Sequence, residues 1–203
     1  MQTRSLERPA GLLEALGSGG YLSPTEANAI AAHFYPKVYS SGDHFAPVGC
    51  SAQYLGFVEA GVLRVYVLSE EGEERTKYFL AEGSFVLALD SYLTGGVTAC
   101  PIDASVAARV WQLPLARLEE LLARHTGLRE LVAWRVQEAF LSKLNENDYL
   151  RFGSAKANYL AFEARYPELC NRLPLKHIAS YLQVTPQSLS RIRAEHRNRV
   201  TKR

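Results

Sequence analysis

Between residues 37 and 112 the chain never runs far without a glycine. Positions 42, 49, 56, 61, 72, 83, 95 and 96 are all Gly, and short apolar or alternating runs lie between them. Glycine accepts the positive φ that tight turns demand, and runs of this length suit strands, so the spacing predicts compact antiparallel β structure. Phe57-Val58 leads through Glu59-Ala60-Gly61 into Val62-Leu63-Arg64-Val65-Tyr66-Val67-Leu68. Ser69-Glu70-Glu71-Gly72 then turns the chain, and Glu74–Leu80 returns it. The product is a hairpin in which Arg64 and Tyr66 alternate with Val65 and Val67. Further strands are expected over residues 85–89 and 104–112. Closing such strands into a double-sheet, jelly-roll-like antiparallel structure hides their edges and leaves room for a cavity between sheets.

Helical texture flanks this core on both sides, which makes the fold class α+β. Upstream, Leu12, Leu13 and Leu16 form one apolar patch. Ser23-Pro24-Thr25-Glu26 carries the start signals of a helix bearing Ala27, Ile30, Ala31 and Phe34. Downstream of Pro114, Leu115, Leu118, Leu121 and Leu122 mark a short amphipathic helix that His125-Thr126-Gly127 interrupts. A longer helix follows over residues 128–144, with Leu128, Leu131, Val132, Val136, Ala139 and Phe140 at helical spacing. A stripe of that breadth either packs on the β domain or forms a seam between two copies. The polar, glycine-bearing stretch 145–153 marks a boundary. Ser154 can then cap a helix carrying Ala157, Tyr159, Leu160 and Phe162, which ends near Tyr166-Pro167. Three units result: residues 1–126, a connecting and dimerisation helix over 127–150, and a C-terminal unit over 151–203.

Within that last unit, LPLKHIASYLQVTPQSLSRIR (residues 173–193) reads as two short helices joined by a tight turn. The first, over 175–182, places Ile178, Ala179 and Leu182 on one face. The second has Thr185 as N-cap, Pro186 at its first position and Leu189 and Ile192 as its inner face. Its outer face carries Gln187, Ser188, Arg191 and Arg193, groups suited to base edges and phosphates of double-stranded DNA, with the capping Thr185 beside a phosphate. Charge is segregated to match. Residues 1–150 hold 12 Lys+Arg and 18 Asp+Glu, net −6, whereas residues 151–203 hold 11 and 3, net +8. Six of the last thirteen residues are basic, as a polyanion footprint requires.

Three scattered cysteines, Cys50, Cys100 and Cys170, define neither a disulfide framework nor a metal cluster, and are read as buried small hydrophobes. The chain shows neither an apolar run long enough to span a bilayer nor a signal-peptide pattern, so a cytoplasmic protein without membrane contact is expected. No Ser/His/Asp or Cys/His arrangement, P-loop or dinucleotide-binding glycine motif stands out. The expectation is of a non-enzyme without cofactor or metal.

The order of parts resembles the CRP/FNR family of bacterial transcription regulators. The segments that carry the resemblance are Gly42-Asp43 through Gly49, residues 57–65 (FVEAGVLRV) and residues 178–193 (IASYLQVTPQSLSRIR). The resemblance implies a cyclic-nucleotide-binding-like roll, a long helix and a winged-helix-like helix-turn-helix. It also implies a homodimer reading a palindromic operator, with RNA polymerase as a further partner. Gln183 departs from the small residue, often glycine, that is usual in the turn.

In cyclic-nucleotide-binding members a Gly-Glu pair meets the ribose and an Arg-Ser or Arg-Thr pair meets the cyclic phosphate. Here Leu87 and Ala88 stand at the first pair, and the second falls at about Val97-Thr98, so both charged anchors are absent. Cyclic AMP is therefore not expected to bind. Three cysteines cannot ligate an iron–sulfur cluster. The histidines His33, His44, His125, His177 and His196 form no spaced set for haem, and His177 and His196 are assigned surface or DNA-contact roles. An unknown small-molecule effector, or none, remains. Tyr66, Tyr78, Leu87, Ala88, Thr98 and Ala99 are candidates for lining a residual pocket, against ordinary core packing. Two other functions compete. A cupin-like metalloenzyme needs clustered His and Glu ligands, for which residues 37–112 offer only His44. A ligand- or partner-binding protein that has lost DNA contact is at odds with the basic C-terminal unit.

Overall fold

The computed structural model describes residues 8–200, with side chains described outside 142–152 and 197–200. Two helices, α1 (Ala10–Gly17) and α2 (Pro24–Ala31), open the chain. A reciprocal capping box fixes the start of α2: Ser23 Oγ accepts from Glu26 N–H at 3.3 Å, and the Glu26 carboxylate accepts from Ser23 N–H at 2.9 Å.

Six strands follow: β1 (Tyr35–Tyr39), β2 (His44–Ala46), β3 (Tyr54–Leu68), β4 (Glu74–Leu80), β5 (Phe85–Val86) and β6 (Ile102–Pro114). They pair antiparallel in the order β1-β6-β3-β4, with β2 on β6 and β5 on β3, and the sheet stays open. The hairpin expected around Gly72 is β3–β4. Two strands are much longer than the texture implied, because β3 and β6 run side by side from Tyr54↔Pro114 to Val65↔Ile102. Register shifts near Gly61 let so long a pair curl into a roll. Only glycine fits there: its φ is +88°, and a Cβ would lie 2.1 Å from the Ala107 carbonyl oxygen.

The strand expected over 85–89 ends after Val86. Leu89 instead begins a short helix, α3 (Leu89–Thr94), that closes with Gly95 in the left-handed region. Beyond the roll come α4 (Leu115–Arg124), α5 (Thr126–Phe152), α6 (Ala155–Arg165), α7 (Leu169–Arg172), α8 (Leu175–Tyr181) and α9 (Pro186–Val200). The long helix thus starts two residues earlier and ends eight later than its apolar stripe. Ser154 caps α6, accepting from Ala157 N–H at 3.2 Å.

Three apolar clusters hold the chain together. The first joins α1, α2, α4 and the start of α5 to Phe57, Trp111 and Leu113 of the roll. A second fills the roll interior around Val58, Leu63, Val65, Ile102 and Val110. The third packs Val62 and Phe79 of the roll against Tyr159, Phe162, Ile178, Tyr181 and Leu189 of the C-terminal helices. Each fully buried Leu, Ile or Phe is worth about 1.5–3 kcal/mol, so this third cluster binds the last unit firmly to the first.

The α5 stripe divides between two environments. Leu128 and Leu131 are buried in the first cluster, with Val132 packed against it, so these three serve their own subunit. Farther along, Val136 is 49% exposed and Phe140 63% exposed, and Ala139 is exposed beside them. Among the described side chains of α5, these are the stripe residues free to meet another copy.

Candidate nucleic-acid interface and sensor groove

Helix α8 ends in a Schellman motif. Val184 N–H donates to Ala179 O at 3.0 Å and Gln183 N–H donates to Ser180 O at 3.2 Å, with Gln183 at φ +56°. Among the described residues Gln183 is the only non-glycine with positive φ. The motif turns the chain sharply from α8 into α9. Thr185 then caps α9, its Oγ1 accepting from Ser188 N–H at 3.1 Å and its hydroxyl donating to Ser188 Oγ at 2.9 Å. Leu189, fully buried, and Ile192 face inward. Gln187 and Arg191 are exposed on one side of α9, next to the half-buried Ser188.

Arg193 points elsewhere. Its guanidinium donates to the Cys170 carbonyl and, at 3.3 Å, to the Tyr159 hydroxyl, and it lies 5.8 Å from the Tyr159 ring centroid. These contacts fasten α9 to α6 and α7 and draw the charge away from the outer face on which the sequence placed it. His196 pairs with Glu163 at 3.0 Å. Of the basic tail, the side chains of Arg197 and Arg199 and all of Lys202 and Arg203 lie outside the described residues.

Contacts to the roll position the whole two-helix unit. Phe79 of β4 meets the rings of Phe162 and Tyr181 at centroid distances of 6.2 and 5.6 Å. Glu82, after β4, holds Arg172 at 2.5 and 3.1 Å and accepts from Gly61 N–H at 2.8 Å. His177, expected at the surface or on DNA, is only 7% exposed and bonds Ser105 of β6 through Nδ1 at 2.7 Å. Burial, joined by the nearby Arg64 charge, pushes its pKa down to about 4, so the ring is neutral. Arg64, although charged, is only 2% exposed. Its guanidinium grips Asp103 at 3.0 and 2.6 Å and Glu74 at 2.7 Å, and stacks on Tyr66 at 4.3 Å. The cation is tolerable there because both carboxylates and the ring face it.

Of the six residues proposed to line a pocket, Tyr78, Leu87 and Ala88 border a groove of about 830 Å³ between the roll and α5. Its walls are apolar, with Lys77, Asp90 and Arg135 at intervals. The other three do not join them. Tyr66 is buried, bonded to His44 Nε2 at 3.0 Å. Thr98, 1% exposed, and Ala99 close on the Asp90 carboxylate of α3. The Thr98 hydroxyl lies 2.8 and 3.0 Å from its two oxygens, and Ala99 N–H donates to Oδ2 at 2.9 Å. Burial opposes that charge. Hydrogen bonds from Thr98 and from backbone N–H groups outweigh it and hold the Asp90 pKa below the usual carboxylate value. Asp90 therefore supplies an internal anion to the segment that lacks the phosphate-binding Arg-Ser or Arg-Thr pair. Its eight-residue spacing from Thr98 across Gly95-Gly96 is the sequence signal for this contact.

Cys170 is buried as expected, Cys100 is half-buried and Cys50 is exposed. Among the described residues no three His, Cys, Asp or Glu side chains gather into a metal-binding set, and no helix is long and apolar enough to cross a membrane.

No curated protein matches the chain significantly in sequence. Residues 36–125 match the family model of the cyclic nucleotide-binding domain. Among solved structures, the chain is similar to the c-di-GMP-responsive global regulator CLP of Xanthomonas campestris, with TM-score 0.70 and 12% identity over 87% of this chain and 92% of that one. A transcriptional regulator of the crp/fnr family from Eubacterium rectale gives TM-score 0.67 and 17% identity over 84% and 82%. FixK2 from Bradyrhizobium japonicum gives 0.66 and 17% over 82% and 85%. Residues 36–125 are thus similar to the cyclic nucleotide-binding domain family, in a chain with the fold of the CRP/FNR transcription regulators.

Proposed function

We propose that this chain is a transcription regulator of the CRP/FNR type that acts as a homodimer on a palindromic operator in the cytoplasm. The observation that carries the reading is α9, capped by Thr185 and anchored through Leu189, which leaves Gln187 and Arg191 exposed together. Gln187 suits adenine and Arg191 suits guanine, each bidentate contact being worth about 1–3 kcal/mol of discrimination. Thr185 and Ser188 lie at the helix N-terminus, where phosphate oxygens are favoured. The exposed half of α5, around Val136, Ala139 and Phe140, supplies the seam between copies. RNA polymerase is a further partner of such a regulator. Binding-site selection with the purified protein tests the whole reading. A recovered palindrome with half-sites about one helical turn apart supports it, and enrichment of no sequence refutes it.

The roll does not take cyclic AMP. A cyclic phosphate would have to displace the Asp90 carboxylate from Thr98 and Ala99 and then remain beside it. Two like charges about 4 Å apart repel by about 4 kcal/mol near a protein surface. Calorimetry is expected to show no binding at micromolar cyclic AMP, and micromolar or tighter affinity would overturn this. Any effector enters the apolar groove beside α5 instead.

A further inference from the structure

Strand β4 pairs with β3 on one side only, so its other side is the bare edge of an open sheet. Unpaired edge groups need a cover. Ser180 of α8 provides it: its hydroxyl donates to Glu74 O at 2.8 Å and accepts from Thr76 N–H at 2.9 Å. Glu74 and Thr76 are alternate residues, so their free carbonyl and N–H point the same way along that edge. One side chain therefore makes both bonds that a neighbouring strand would make. Glu74 is itself held, because its carboxylate pairs with the buried Arg64 at 2.7 Å.

The unit clasped in this way keeps Gln187 and Arg191 exposed. Docking on the roll is thus compatible with an approach to DNA. A dimer that must place two reading helices at a fixed separation gains affinity when each is already oriented, because orienting a mobile unit costs binding free energy.

We propose that Ser180 is a positioning residue for DNA recognition, clasping the reading unit to the edge of β4 so that the two copies present α9 at the spacing of a palindrome. The inference rests on the function proposed above. Its test uses the full-length protein, Ser180→Ala, which removes both bonds, and Ser180→Thr, which keeps the hydroxyl. Amide hydrogen exchange at Thr76 reads the clasp directly. Affinities for the selected palindrome and for a single half-site read its consequence. With Ser180→Ala, Thr76 exchange is expected to quicken at least tenfold and palindrome affinity to fall about tenfold, while half-site affinity stays within twofold. Ser180→Thr restores both. In the wild type, the palindrome slows Thr76 exchange further, a measurement that needs no variant to fold.

Unchanged Thr76 exchange in Ser180→Ala overturns the clasp. Equal losses on palindrome and half-site overturn the positioning role. Thr76 exchange in the wild type that is indifferent to the palindrome does so as well. Failure of the wild type to select any DNA overturns the proposed function and the positioning role with it, while the exchange result still decides the clasp.

Discussion

Replacing Gln183 by glycine is expected to stabilise the protein, although it deletes a whole side chain. Gln183 sits at φ +56°, in the position after the C-cap of α8, and its side chain is exposed. A Cβ in the left-handed region costs about 1–2 kcal/mol through its clash with the following carbonyl. Glycine removes that cost but returns about 0.4–1 kcal/mol as extra freedom of the unfolded chain. The difference leaves a net gain of about 1 kcal/mol. For a chain of this size that corresponds to a rise of about 2–4 °C in Tm. Both hydrogen bonds of the motif come from backbone atoms and survive the change. The control is Gln183→Ala, which loses the same polar group yet keeps the Cβ, and it should gain nothing. Urea and thermal unfolding of the three proteins, monitored by circular dichroism, supply the comparison. If the alanine variant is as stable as the glycine variant, backbone strain at residue 183 is not what limits this turn.

Three further outcomes are expected. Arg64→Met leaves Asp103 buried without its partner and should cost about 3–5 kcal/mol in urea unfolding, most of it recovered when Asp103→Leu is added. His177 binds a proton near pH 6.5 when unfolded but only near pH 4 when folded, so its contribution to stability is present above pH 6.5 and lost as the pH falls toward 4. His33, also lowered by burial and by Arg117, adds a slope of the same sign. The measure is therefore the difference from His177→Gln, whose stability should fall less between pH 6.5 and 5; parallel curves would exclude the effect. Arg191→Ala should leave stability within about 0.5 kcal/mol while weakening specific DNA binding by about 1–3 kcal/mol. Arg193→Ala should instead destabilise the fold by about 2 kcal/mol, through loss of charged hydrogen bonds. A reversal of the two profiles would exchange their roles.

What could be read from the sequence was what local chemistry decides. Thr185, Pro186 and Leu189 mark the start and inner face of α9 by spacing alone, and the capping box at Ser23 and Glu26 works within four residues. Gln183 stood out in the sequence as a turn residue of the wrong kind, and its positive φ is the physical counterpart of that oddity. Not legible were the residues whose surroundings come from distant parts of the chain. The inward turn of Arg64 depends on Asp103, 39 residues away, and the burial of His177 depends on Ser105, 72 residues away. An apolar stripe shows that a helix face wants cover but not what covers it. Leu128 and Leu131 found theirs in α1, α2 and α4, whereas Val136 and Phe140 did not. Ser180 carries no sequence signal at all, since a serine on a short helix is ordinary until a strand edge lies against it.

The covered edge of β4 also bears on how the protein can be divided. A fragment ending with α5 would keep all six strands and lose α8. The Glu74 carbonyl and the Thr76 N–H would then face solvent, beside the apolar surface of Val62 and Phe79. Such an edge is a template for strand addition from another chain. The isolated roll should therefore associate edge to edge through β4 at high concentration, a contact that the intact chain does not make. In this protein the C-terminal helical unit doubles as a guard against aggregation of its own β roll.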